Sequence, residues 1–219
     1  MVIFVGLRRN SAPFFSSQQH QCVYDAILSD TYRDSINSVV TELLTNNFSA
    51  YAIIHELQQK FPIVKKIIIS YQPAAIRVMV SAHEPVCTIN NECALTAQKE
   101  IFPIDIFSEK AITNIANIAV MPDSVNNMAY FISHLLDILP AHVFQAYNVE
   151  LVNEHYVRLA DKKQPKFTIV SSVVQEKLSF LLSQCDSVKH TIAERKDFEK
   201  GTKWIADTRF AHYIVAYKA

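Results

Sequence analysis

The sequence predicts an α+β protein, and two periodicities carry that prediction. Apolar residues recur every three to four positions in four stretches, which is typical of a buried helix face. In several shorter stretches they alternate with other residues, which is typical of strands. A hydrophobic fraction of 50% with 19% charged residues is the composition of an ordered globular chain. The length of 219 residues allows one large domain or two small ones.

The first region of the chain has the predicted order β-α-α-β-β. Asp30 is the predicted N-cap of the first helix, and the second helix is expected to end before Pro62, because proline disfavours a helical residue in front of it. Pro73 lies in the turn between the two following strands, and Pro85 terminates the second of them. These elements are expected at 21–28, 30–44, 49–60, 67–71 and 74–82. They predict an open sheet with two helices on one face.

The rest of the chain predicts a larger, mostly antiparallel β-domain with two helices. Apolar spacing places these helices at 128–139 and 174–185, and Ser172 with Gln175 forms a capping box for the second. Strands are expected at 86–89, 104–107, 115–120, 144–151, 156–159, 167–170, 203–210 and 212–217. The predicted divisions are an N-terminal segment and linker at 1–19, a first domain at 20–86 and a second at 87–219.

The sequence carries no signature of catalysis or nucleotide binding. Its two glycines exclude glycine-rich phosphate loops, whereas average usage would give roughly 15. Neither the GxSxG motif of α/β-hydrolases nor the HExxH motif of zinc proteases occurs. Lys and Arg number 21 together, as do Asp and Glu, so the charge balance does not favour nucleic acid. We predict no catalytic, cofactor-binding or metal-binding residue, no nucleic-acid partner and no small-molecule substrate.

The number and spacing of the four cysteines do not indicate a disulfide scaffold. Cys22, Cys87, Cys93 and Cys185 are too few and too scattered, and none belongs to a CxxC pair. Cys185 closes the apolar face of a predicted helix, so we interpret it as a small core residue. A disulfide between Cys87 and Cys93 in an oxidising compartment is the alternative that the sequence leaves open.

Three short stretches, taken in order, resemble a known family. The first runs from Leu57 through Pro62 and a strand to Pro73, and the second is the strand that leads into Glu84-Pro85. The third, at 204–210, is a closing strand with the pattern Asp-x-Arg-Phe. Together they resemble the extracytoplasmic part of the bacterial cell-division family FtsQ/DivIB, which consists of a small docking domain, the POTRA domain, and a β-domain. The resemblance covers about residues 20–218.

The resemblance implies a scaffold that catalyses no reaction. In the family, the last strands of the β-domain form an open edge to which a segment of FtsB, itself paired with FtsL, adds a strand. An edge strand offers unpaired N–H and C=O groups, and alternate side chains set specificity. Both faces of 211–217 are apolar or aromatic, with just one charged residue, Lys218, after Arg209. The predicted partner-binding residues are Phe210, His212, Tyr213, Ile214, Val215 and Tyr217.

Other residues of these motifs have predicted structural roles. Asp207 and Arg209 are interpreted as an ion pair or turn anchor and Trp204 as a core residue; the full set is Pro62, Pro73, Pro85, Trp204, Asp207 and Arg209. Family members also carry a membrane helix, so the resemblance implies the bacterial inner membrane, with this region periplasmic. The anchor would lie outside this chain, or residues 1–7 would be its remnant.

Two alternatives stay open at this point. A POTRA-type module of protein transport or outer-membrane assembly would share residues 20–85 but lack the closing motif. A small α+β enzyme would instead place Asp and His residues together in a cleft. The chain also departs from the family pattern, since Asn90-Asn91-Glu92 stands where the family has a glycine-containing turn; asparagine can adopt the left-handed conformation that such a turn needs.

Overall fold

In the computed structural model the chain has the predicted α+β architecture, arranged as two compact units. The structure describes residues 19–72, 75–121, 128–164, 166–173, 178–194, 203–209 and 214–218. The first unit contains the described residues up to Pro85 together with Phe102–Asn114. The second contains Val86–Ile101 and the described residues from Ile115 onward. Phe102–Asn114 therefore belongs to the first unit, although the sequence predicted that every residue from 87 onward lies in the second domain.

The first unit has a three-stranded sheet in the order β1-β3-β2. The central strand β3 pairs in parallel with β1 and antiparallel with β2. Alternate β3 residues from Ile76 to Ala82 are buried, so one face of the sheet belongs to the core. The elements are β1 (Gln19–Tyr24), α1 (Asp30–Thr45), α2 (Ala50–Lys60), β2 (Val64–Tyr71) and β3 (Ala75–Ala82).

Serine side chains begin both helices of the first unit. The N-cap of α1 is Ser29, whose side chain accepts a hydrogen bond from the amide of Tyr32, so the predicted N-cap Asp30 is instead the first helical residue. Ser49 caps α2 in the same way. The second helix ends at Lys60, with Phe61 as C-cap, as the following proline predicts.

Phe102–Asn114, the later segment that belongs to the first unit, was predicted to contain a strand at 104–107. Ile104–Ile106 is instead a 3-10 turn, followed by the short helix α3 (Glu109–Ile112). The Ile106 carbonyl accepts a hydrogen bond from the Ser29 amide at 2.9 Å. Phe107 also forms an isolated bridge with Leu28. These long-range contacts outweigh the local apolar alternation from which a strand was predicted.

The second unit carries most of a nine-stranded sheet in the order β12-β11-β10-β9-β8-β7-β4-β5-β6. Its apolar core combines the sheet with α4 and α6, through residues such as Ile132, Leu135, Leu182 and Cys185. The elements are β4 (Pro85–Ile89), β5 (Cys93–Thr96), β6 (Ile101–Pro103), β7 (Ala116–Val120), α4 (Ala129–Ile138), α5 (Ala141–Ala146), β8 (Tyr147–Leu151), β9 (Tyr156–Asp161), β10 (Phe167–Ser172), α6 (Leu178–Ala193), β11 (Trp204–Asp207) and β12 (Val215–Lys218).

This sheet is mixed, whereas a mostly antiparallel one was predicted. The pairs β4/β7, β7/β8 and β10/β11 are parallel. Parallel neighbours need a long crossover, which α4 with α5 supplies between β7 and β8, and α6 between β10 and β11. The predicted strand at 144–151 is also corrected, because α5 occupies Ala141–Ala146 and β8 begins only at Tyr147.

The turn between β4 and β5 is built from asparagines in the left-handed conformation. Asn90 and Asn91 have φ angles of 55° and 56°. The side chain of Asn90 exchanges two hydrogen bonds of 2.8 Å with the backbone of Val120 in β7. Asparagine therefore serves here in place of glycine, and its side chain links the turn to the neighbouring strand.

Candidate functional site

The terminal strand β12 lies at one end of the nine-stranded sheet. It pairs antiparallel with β11, with Val215 opposite Asp207 and Tyr217 opposite Ile205. On its other side no strand pairs with it in the described part of the chain. Val215 and Tyr217 are 42% and 41% exposed. The strand therefore combines an unpaired backbone edge with exposed apolar and aromatic side chains.

The two faces of this edge have different surroundings. Trp204 and Ala206 of β11 are buried in the core, and Ile214, just before β12, packs against that core. Directly opposed residues of antiparallel strands share a face, so Val215 and Tyr217 lie on the other face, with Ile205 and Asp207. The strand is thus attached to the core through β11 and presents its two exposed apolar side chains on the opposite face.

An ion pair closes the end of β11. Arg209 Nε donates to Asp207 Oδ1 at 2.8 Å, and its guanidinium also contacts Oδ2 of the same carboxylate. The hydrogen bond from Arg209 lowers the pKa of Asp207, and the pKa of Arg209 is raised by the same contact. The guanidinium also lies 5.2 Å from the ring centroid of Tyr156. The pair therefore holds Arg209 against β9 and keeps the buried carboxylate compensated.

The structure describes part of the predicted site. Of the predicted partner-binding residues, Ile214 is half-buried while Val215 and Tyr217 are exposed. Trp204 is a core residue. Pro62 directly follows the C-cap of α2, and Pro85 is the first residue of β4. Predicted residues that lie outside the described residues are Pro73, Phe210, His212 and Tyr213.

Sequence reasoning missed a polar cluster where α6 meets the turn after β9. The buried carboxylate of Asp161 accepts a hydrogen bond from the ammonium group of Lys189. Burial would raise the pKa of Asp161, but the bond from Lys189 and the amides of Gln164 and Lys163 outweigh it, so the pKa is lowered. The hydroxyl group of Tyr147 donates a hydrogen bond to Oδ1 of Asp186 at 3.3 Å. The helical spacing of Asp186 and Lys189 was the available signal, but their partners on β8 and β9 are remote in sequence.

A shallow cavity of about 370 Å³ adjoins this cluster. Its lining residues are Gln164, Asp186, Lys189, His190 and Glu194. The ionisable groups there are already paired: Lys189 with Asp161, Asp186 with the Tyr147 hydroxyl, and His190 with Glu194 at 3.1 Å. The contacts of Lys189 and Asp186 attach α6 to β9 and β8, whereas His190 and Glu194 pair with each other along the exposed side of α6.

The thiols are poor nucleophiles and the metal-ligand groups are dispersed. All four cysteines are free, and burial raises the pKa of Cys87 and of Cys185 to about 12, so both stay protonated at neutral pH. Within the described residues, no three His, Cys, Asp or Glu side chains come together as metal ligands. No helix of the described ranges has the length and apolar character needed to span a membrane.

Comparison of the sequence with models of known protein families gave no match, and comparison with curated proteins gave no significant match.

Proposed function

We propose that this chain is a non-enzymatic scaffold that binds a partner segment by adding a strand to β12. The observation that carries the proposal is the edge position of β12 together with the exposure of Val215 and Tyr217. An added strand would satisfy the N–H and C=O groups on the open side of β12. Its side chains would lie beside Val215 and Tyr217, which gives the interaction its specificity.

The proposed setting is bacterial cell division, and it rests on the resemblance to FtsQ/DivIB. The order β1-α1-α2-β2-β3 of the first unit supports a POTRA-like domain, and β11 followed by β12 supports the closing hairpin of the family's β-domain. In this proposal the partners are FtsB- and FtsL-like division proteins. The chain would act on the periplasmic side of the inner membrane, held there by an anchor outside the described residues.

A transport-type POTRA module is the alternative interaction protein. It would use the first unit in the same way, but it would not need the closing strand at β12. The enzyme alternative receives one supporting observation, the cavity beside Asp186 and His190. The pairing of the ionisable groups in that cavity favours a structural role, so the scaffold is the better supported proposal.

The decisive experiment measures binding of the extracytoplasmic segment of the FtsB-like protein from the same organism. Isothermal titration would compare the wild-type chain with Val215→Lys and Tyr217→Lys. Both changes introduce a flexible charge beside the incoming strand, so we expect affinity to fall about 30-fold or more, as for an interface hot spot. Hydrogen exchange should show that the β12 amides become protected on binding.

Tyr130→Lys is the matched control, because Tyr130 belongs to the same unit and is 62% exposed. Its affinity for the segment should equal that of the wild type. Undiminished binding by both β12 variants, with their circular dichroism unchanged, would disprove strand addition at β12. Failure of the wild-type chain to bind the segment at all would contradict the cell-division partner.

A further inference from the structure

The sheet of the first unit has a second face, opposite the one that α1 covers. His20 of β1 marks the covered face, since its ring contacts Thr41 of α1 at 3.0 Å. In the sheet register, Val23 of β1, Met79 of β3 and Ile68 of β2 are neighbours on the other face. We call these three residues the apolar row. Met79, at its centre, is 38% exposed and Val23 and Ile68 are half-buried, so the row is partly accessible to solvent.

Cationic side chains flank the apolar row. Arg77 lies two residues from Met79 on the same face, and Lys66 of β2 lies on the opposite side of the row, next to Ser81. Neither forms an ion pair with a carboxylate in the described ranges. The nearby carboxylate of Asp25 accepts a hydrogen bond from the Ala82 amide at 3.1 Å. The row therefore lies between two cations that have no acidic partner among the described residues.

Arg77 also has an unsatisfied group. Its Nε atom is buried, yet it has no hydrogen-bond partner among the residues that the structure describes. Buried donors in native proteins are almost always paired, and the guanidinium group matches a carboxylate in shape and charge. Because Arg77 as a whole is only half-buried, an incoming carboxylate could pair with the accessible part of its guanidinium group.

The dimensions of the face fit a helix. Three strands at about 4.8 Å spacing present a surface about 10 Å wide, which is the diameter of one α-helix with its side chains. We propose that this face binds an amphipathic helix of a partner protein, with apolar side chains against Val23, Ile68 and Met79 and a carboxylate on Arg77. Because the flanking residues Arg77 and Lys66 are positively charged, the partner helix is expected to be acidic. This site lies in the first unit and does not depend on strand addition at β12.

Methionine methyl NMR provides a direct test on the full chain. The chain has four methionines, Met1, Met79, Met121 and Met128, so ¹³C-methyl labelling gives a spectrum simple enough to assign by substitution. The probe is a synthetic helical peptide of about 18 residues with leucines on one face and glutamates beside them. A second peptide carries lysine at every glutamate position.

We expect the acidic peptide to shift the Met79 methyl signal saturably while the Met121 signal, from a side chain 62% exposed in the second unit, stays in place. The acidic peptide should bind at least about tenfold more tightly than the basic one. Equal affinity of the two peptides, or an equal shift of Met121, would overturn the proposal. A Met79 signal that moves with protein concentration before peptide is added would also overturn it, because a second copy of the chain would then occupy the face.

Two variants separate the apolar and ionic contributions, with affinity followed by fluorescence anisotropy of the labelled peptide. Met79→Glu should abolish binding of the acidic peptide, whereas the matched control Met121→Glu should bind as the wild type does. Arg77→Gln keeps a polar side chain of similar size and should reduce the preference for the acidic peptide to about twofold. An undiminished preference in Arg77→Gln, with circular dichroism unchanged, would show that Arg77 does not recognise the peptide.

Discussion

The edge strands β2 and β12 differ in the side chains they carry, although both end a sheet. Lys65 and Lys66 are exposed in β2, where the register shifts between Val64 and Lys66. In β12 the exposed residues include Val215 and Tyr217, and the charge of Lys218 comes only at the end. Lysines and irregularities in register are common protection against unwanted strand pairing. Side chains, rather than the open backbone, therefore distinguish the edge that we propose to bind a partner from the edge that carries protective lysines.

The strands β2 and β12 also differ in how they are attached to the core of their units. Strand β2 contributes its own buried residues, Val64 and Ile67, to the core of the first unit. All four residues of β12 are exposed, and its attachment runs through β11 and the buried residue Trp204. The edge proposed to bind a partner is therefore the one with fewer contacts of its own, and its stability depends on its neighbour.

The largest expected effect comes from removing that neighbour's main core residue. Trp204→Ala should lower the free energy of unfolding by about 3–5 kcal/mol, because a large buried side chain leaves a cavity. Tyr71→Ala, in the exposed part of β2, should cost less than about 1 kcal/mol. Urea unfolding followed by far-ultraviolet circular dichroism measures both, since Trp204 is the chain's one tryptophan and fluorescence would be lost with it. Equal losses in the two variants would show that Trp204 does not anchor the strands next to β12 more strongly than an exposed residue anchors β2.

A smaller effect is expected from the ion pair that fixes α6, the helix between β10 and β11. Asp161→Asn preserves the acceptor for the backbone amides but removes the charge that faces Lys189, so we expect a loss of about 1–3 kcal/mol at pH 7. The exposed pair of Arg158 and Glu150 gives the control: Glu150→Gln should cost less than about 1 kcal/mol. Chemical unfolding of the two variants at pH 7 provides the comparison.

The pH dependence of this effect has a definite sign. The folded-state pKa of Asp161 lies below its unfolded value, which is about 3.9. The stabilisation is therefore present above about pH 4 and is lost as the pH falls through the folded-state pKa. The difference between wild type and Asp161→Asn should narrow below about pH 4. A difference that stays constant from pH 7 to pH 3 would show that the charge is not its source.

Much of the first unit could be predicted because its signals are local. The alternation in β3, the serine and proline at the ends of α2 and the apolar face of α1 all lie within one element each. Two parallel pairs of the second sheet, β7/β8 and β10/β11, depend instead on which strands meet after a helical crossover. The order strand, helix, strand around α4 and α6 was visible in the sequence, and giving it more weight would have predicted those parallel pairs.

The candidate site could likewise be predicted only in part from the sequence. Alternation and the scarcity of charge after Arg209 suggested an edge strand, but which strand it pairs with depends on long-range register. The partners of Asp161 and Tyr147 lie on α6, 28 and 39 residues later in the chain, so no local pattern indicates them. The row across three strands in the first unit likewise exists only once Val23 and Met79 are brought into register.

The smallest effect on stability, and the most direct test of the comparison, comes from removing the protection of β2. Lys65→Thr with Lys66→Thr should change the free energy of unfolding by less than about 0.5 kcal/mol, because both side chains are exposed. The same double change should promote self-association through the β2 edge, since threonine favours strands and no charge opposes pairing. Light scattering after size-exclusion chromatography would show a concentration-dependent mass above that of the wild type.

The control is the double variant Lys162→Thr and Lys163→Thr, in the turn after β9. It removes the same charge away from any edge and should leave the mass unchanged. If the β2 variant also keeps the wild-type mass, the two lysines are not what protects this edge, and the register shift between Val64 and Lys66 becomes the better explanation.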